Sequence, residues 1–237
     1  MKNMKIRFAN ALATALLATT TISSASAASV FDFSNLTFNG VVNQGFLPTP
    51  LIPCTAGDLC SSNVDGNVRN GALTYTQGGI NVAATGTYNN AVAAVVQDHE
   101  NGYVAHTIGA GLGVYHVSGN TSDDNITAGE RLTLTFDRLV NLSSIELRSE
   151  GHNTTGWLTG ATFLFNGAST LLKGTMSGLN LTGTTFTFAY GGTNADQFYL
   201  GAMTVSAVPE PEAFAMLLAG LGVIGVVGRR RAKQGPV

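Results

Sequence analysis

The chain has 237 residues, 44% of them apolar, only 11% charged and 29 of them glycine, a composition too apolar for intrinsic disorder and too glycine-rich for a helical bundle. The formal net charge of -2 hides an asymmetry: between Ala28 and Ala207 five Lys or Arg face twelve Asp or Glu, and the other basic side chains sit at the two ends. An acidic central segment without a basic stripe argues against nucleic acid or anionic lipid as its main partner.

The first element is an export signal. Lys2, Lys5 and Arg7 precede an uncharged stretch from Phe8 to Ile22, and the small residues of Ser24-Ala25-Ser26-Ala27-Ala28 follow. Charged start, apolar middle and small-residue end make the three parts of a signal peptide over 1–27, cut between Ala27 and Ala28, so secretion machinery and signal peptidase are expected partners. Next comes a segment broken by Pro48, Pro50, Pro53 and Gly57 that carries the chain's two cysteines, Cys54 and Cys60. In an exported chain a small disulfide-closed loop is the favoured reading, with free thiols or half of a metal site as alternatives.

Residues 28–207 are read as one passenger domain of roughly 180 residues, long enough for a single core. Its pattern is period-two alternation: Leu132, Leu134 and Phe136 against Thr133 and Thr135, then Phe186, Phe188 and Tyr190 against Thr185 and Thr187. Further strands are expected at 36–42, 72–76, 79–84, 91–97, 103–108, 112–117, 142–148, 161–165 and 197–205. No fixed repeat appears, so the expected fold is all-β: an antiparallel two-sheet sandwich, jelly-roll-like.

Chemistry-bearing residues are few. Asn120, Asp123, Asp124, Asn125 and Glu130 place oxygen donors within eleven residues and could hold structural calcium, though without EF-hand spacing; the alternative is a solvated turn capped by its own Asx side chains. His99-Glu100, His106, His116 and His152 match no His-Glu-x-x-His pattern, and Gly109, Gly111 and Gly113 read as a glycine-rich bend. Trp157, the only tryptophan, lies among glycines and polar residues, where an indole stacks on a sugar or anchors its loop. The Thr-x-Thr pairs at 133/135 and 185/187 could form a hydroxyl ridge facing polysaccharide or ice, or an ordinary solvated strand face. With no Gly-x-Ser-x-Gly and no selectable carboxylate pair, no catalytic residue is assigned.

The last element spans 208–237. Val208-Pro209-Glu210-Pro211 is followed by sixteen uncharged residues, 213–228, and by a basic cluster at 229–233 with Arg229, Arg230 and Arg231. The apolar run reads as a transmembrane helix with its arginines on the cytoplasmic side, short at about 24 Å against a hydrocarbon core of about 30 Å.

Together the Pro-Glu-Pro, the apolar segment and the arginines resemble the PEP-CTERM sorting signal, a tail also labelled as the C-terminal domain of an ice-binding protein. The resemblance implies processing by an exosortase, a membrane cysteine transpeptidase, with Pro209, Glu210 and Pro211 as the recognition element. The segment 118–148 is similar to stretches of other such passengers, although Gly201 replaces an acid frequent in their last strand. The expected protein is non-catalytic, anchored transiently and then released to the cell surface or extracellular matrix, where it associates with exopolysaccharide or biofilm. A calcium-dependent carbohydrate-binding or adhesion module and a polysaccharide hydrolase are the alternatives.

Overall fold

The computed structural model describes residues 27–54, 57–64, 68–99, 109–117, 122–209 and 211–233. The leader up to residue 26, the expected strand at 103–108, Glu100, His106, Asn120 and Glu210 lie outside the described residues.

The strands in chain order are β1 (Ser29–Asp32), β2 (Leu36–Phe38), β3 (Asn43–Gly45), β4 (Ile52–Pro53), β5 (Leu59–Cys60), β6 (Leu73–Gln77), β7 (Ile80–Tyr88), β8 (Ala91–Asp98), β9 (Gly111–Val117), β10 (Ser122–Asp123), β11 (Glu130–Arg148), β12 (Thr162–Phe165), β13 (Ala168–Leu171), β14 (Thr175–Tyr190) and β15 (Tyr199–Ala207). One helix follows, α1 (Pro211–Lys233). Local chemistry sets the hairpins. Gly78-Gly79 joins β6 to β7, Asn89-Asn90 joins β7 to β8 and Asn166-Gly167 joins β12 to β13, each a two-residue loop with both φ angles positive, from 48° to 80°. Such loops match the right-handed twist of paired strands and demand Gly or Asn.

The all-β, antiparallel expectation holds, and the jelly-roll sandwich does not. Strands β7, β8, β9, β15 and β11 pair in a ring, with β15 returning to β11, which makes a closed five-stranded barrel. The reason is β11. The sequence suggests two strands, 131–137 and 142–148, but the chain runs through as one strand of 19 residues. Its first half pairs with β7 on one side and β14 on the other; its second half keeps β14 and exchanges β7 for β15. The exchange falls at a bulge between Thr135 and Val140. There Asp137 accepts hydrogen bonds from Arg138 and from the backbone and side chain of Asn81, which hold its carboxyl down at about 2, the Arg138 bond being the largest cause. A bulge of this kind raises local twist and lets one strand serve two sheets.

The barrel interior is a continuous apolar core from Phe31 and Phe33 through Leu132, Leu134 and Phe188 to Val205. The Phe136 ring meets both Phe31 and Phe186 edge-on, at 5.8 and 6.0 Å. Strand β8 differs from its neighbours because the run from Ala93 to Asp98 is buried on both faces. Its outer face is covered by a satellite cluster of Cys60, Val64, Val96 and Tyr115.

That cover is stapled by the expected disulfide, Cys54–Cys60, with Cα atoms 5.8 Å apart. For so short a loop the chain-entropy contribution is about 2 kcal/mol. Cys54→Ser is therefore expected to lower the urea unfolding free energy by about that amount, and reductant should lower the wild type equally while leaving the variant unchanged.

The tail forms α1, but the expected transmembrane helix over 213–228 is not supported: among the described residues no helix is long and apolar enough to cross a membrane. Glu212 and Arg229–Arg231 confine the apolar run to sixteen residues, and Gly220, Gly222, Gly225 and Gly228 dilute it. Met216, Leu217, Leu218, Leu221, Val223 and Ile224 are exposed.

Candidate functional site

The strand register gathers polar residues at one end of the barrel. Asp98 ends β8 opposite Gly111, the first residue of β9, and Leu112 of β9 pairs with Leu200 next to the start of β15. Leu59 pairs with Gln97, so Asp58 lies beside Asp98. At the same end Arg148, the last residue of β11, pairs with Tyr199.

Asp58, Asp98 and His99 each turn one ligand atom into this group, all within 4.8 Å of one another. Asp58 Oδ1 accepts from the His99 backbone N–H at 3.1 Å and contacts its Nδ1 at 2.6 Å. Asp98 Oδ2 accepts from Ala110 N–H at 2.8 Å and lies 3.3 Å from His152 Nε2. Around these stand Asp124, whose Oδ1 accepts from the Tyr199 hydroxyl at 2.5 Å, and Glu150, whose Oε2 accepts from Asn125 Nδ2 at 2.6 Å and Gln197 Nε2 at 3.3 Å. Four carboxyls thus converge at this end of the barrel, Asp58 and Asp98 buried, Asp124 half-buried and Glu150 exposed.

The electrostatics follow. Asp98 is pushed up to about 9, first by burial and then by the charges of Asp58, Asp124 and Glu150, with the Ala110 N–H opposing. Tyr199 is driven well above the usual phenol range by burial, then by Asp124 and Asp98. The buried cation Arg148 donates from Nη1 to the His152 carbonyl at 2.8 Å and from Nη2 to Glu146 at 2.6 Å, while its Nε has no hydrogen-bond partner among the described residues. A Cβ on Gly201 would stand 3.0 Å from Arg148 Nε, so the glycine at the position of the missing acid leaves this guanidinium its room.

The residues of the acidic turn go separate ways. Asp124 joins the barrel-end cluster, whereas Glu130 is buried against His116 Nδ1 and accepts the Thr127 N–H at 2.8 Å. The His116 ring stacks on Tyr88 at 3.5 Å between centroids. Asp123 of β10 pairs through its backbone with His116 of β9. Trp157 is half-buried against the core and donates from Nε1 to the Gln197 carbonyl at 3.1 Å, so it ties its loop to the segment before β15. Ala27 and Ala28 are exposed immediately before β1.

The threonine pairs do share a face. Thr85, Thr133 and Thr187 form one cross-strand row over β7, β11 and β14, and Thr135 and Thr185 the next. Thr74 and Thr76 of β6 extend this outer face. Rows in such a sheet lie about 4.8 Å apart between strands and about 6.8 Å apart along them.

Asp58, Asp98 and His99 escape sequence reasoning because 40 positions separate the first two. The available signal is Asp98-His99 closing the apolar run AVAAVV, polar residues where a doubly buried strand stops.

At the other end of the chain, Val208 N–H donates to the Leu139 carbonyl in the β11 bulge at 2.9 Å, fixing the point where the tail leaves the barrel. Pro211 opens α1, Arg229 is exposed, and Arg230 and Arg231 lie in its last turns. The molecule is therefore a closed antiparallel barrel with a separate C-terminal helical tail. Residues 207–231 match the PEP-CTERM protein-sorting motif, so the chain carries that motif, the mark of an exported protein sorted by exosortase. No curated protein and no solved structure matches the chain.

Proposed function

We propose that this is a surface or extracellular-matrix protein whose tail exosortase processes, and whose barrel is a non-catalytic module associating with extracellular polysaccharide. The observation that carries the reading is the junction: the sorting motif starts on Ala207, the last residue of β15, so processing near Pro209 would release a finished barrel. Supporting the second part, the threonine rows offer uncharged hydroxyls and methyls on a chain whose passenger is otherwise acidic, a chemistry suited to neutral sugars.

Mass spectrometry of the mature protein from strains with and without exosortase tests the first part. The expected product begins at Ala28 and, only where exosortase is present, ends near Pro209. A C-terminus intact through Val237 in both strains overturns it. For the second part, Thr135→Glu should reduce retention on the producer's exopolysaccharide at least about tenfold, a loss of about 1.4 kcal/mol, with the melting temperature close to that of the wild type.

A further inference from the structure

We propose that Asp58, Asp98 and His99 form a binding site for one divalent cation of the zinc class. The inference is independent of the sorting tail and of the threonine face.

The donor set is two carboxylates and one imidazole, all within 4.8 Å. A tetrahedral zinc site with bonds of about 2.0–2.2 Å spaces its donors about 3.3–3.5 Å apart, so the closest pair, His99 Nδ1 and Asp58 Oδ1 at 2.6 Å, need open by less than about 1 Å. Imidazole nitrogen favours zinc and its neighbours over calcium or magnesium, which take oxygen. The ligands sit on restrained backbone. Asp58 lies inside the disulfide loop, whose strand β5 pairs with β8, and Asp98 ends β8. His152 Nε2 against Asp98 Oδ2 and the Ala110 N–H on the same oxygen orient that carboxylate from behind, as second-shell partners do in zinc sites.

A second observation points the same way. Asn125 is fully buried, and its amide nitrogen holds Glu150, whose charge bears on Asp98. Its carbonyl Oδ1 has no hydrogen-bond partner among the described residues. Turning the amide over would set that oxygen against the Glu150 carboxylate, so the orphan atom is the oxygen. An orphan buried acceptor calls for a water or an ion that completes it, and a cation held at this end of the barrel is one such partner.

The test is equilibrium dialysis of the purified full chain against Zn²⁺ alone, read by elemental analysis, beside thermal melts. We expect one zinc per chain and, at zinc a hundredfold above Kd, a rise in melting temperature of about 5–10 °C. Asp58→Asn and His99→Gln should each weaken zinc binding more than about tenfold. Should a variant fail to fold, X-ray absorption on the zinc-loaded wild type decides: a shell of nitrogen and oxygen at about 2.0–2.2 Å that includes imidazole supports the site. Less than stoichiometric zinc on the wild type, zinc retained by both variants, a shell without imidazole, or binding of Ca²⁺ in place of Zn²⁺ each overturns it.

Discussion

Gly113→Ala is expected to cost the barrel about 4 kcal/mol or more and to lower its melting temperature by at least about 8 °C. Gly113 sits in β9 without a positive φ, so backbone strain is not the cause. The cause is space. A Cβ there would lie 1.7 Å from the Asp124 carbonyl oxygen and 2.8 Å from the Asn125 Cα, both backbone atoms. Making room breaks the Val114 N–H to Asn125 carbonyl bond of 3.0 Å and moves Asp124 away from the Tyr199 hydroxyl. Gly183 is the matched control: a strand glycine in β14 whose added Cβ meets nothing closer than 3.5 Å. Gly183→Ala should stay within about 1 kcal/mol of wild type, on the stabilising side if the lost chain entropy of the unfolded state dominates. Equal losses at the two positions in urea unfolding would contradict the argument.

Leu134→Ala carries the second large effect, about 3 kcal/mol within the usual range of 2–5 for a buried leucine. Leu134 has no exposed surface and lies where β11 is flanked by Ala84 of β7 and Phe186 of β14. Three strands meet behind it, so a cavity there has little freedom to collapse. Leu139, five residues on, is 45% exposed in the bulge. Leu139→Ala should change stability by less than about 1 kcal/mol, and a chemical melt of both variants reads the contrast.

The two ends of the chain and the period-two strands are legible because their signals are local. Leu132, Leu134 and Phe136 alternate with threonines, and Arg229–Arg231 follow an apolar run, whatever the remainder folds into. The closed barrel is not local. Nothing in Asp137-Arg138-Leu139 announces that the strand continues while its neighbour changes from β7 to β15; the bulge reads as a turn because it breaks the alternation. Short β1 and β13 were missed for a related reason, since four residues such as SVFD give too few periods to recognise. The metal candidate lies furthest from view. Asp58, Asp98-His99, Asp124 and the loop of Glu150 and His152 come from four separate segments, and only strand register makes them neighbours. The acidic turn shows the converse: Asp124 and Glu130 are close in sequence, yet strand geometry sends one to the barrel end and the other to His116.

The pairing of β1 with β15, Ser29 opposite Val205 and Asp32 opposite Ala202, joins the first strand of the passenger to its last. Neither that contact nor the return of β15 to β11 exists until nearly all of the passenger has been made available, and contacts of such sequence separation form slowly. A chain made available from its N-terminus therefore stays unlatched until its last strand is present. The latch is the strand on whose last residue the sorting motif begins, so the barrel can shut only once the chain has been made available up to that motif.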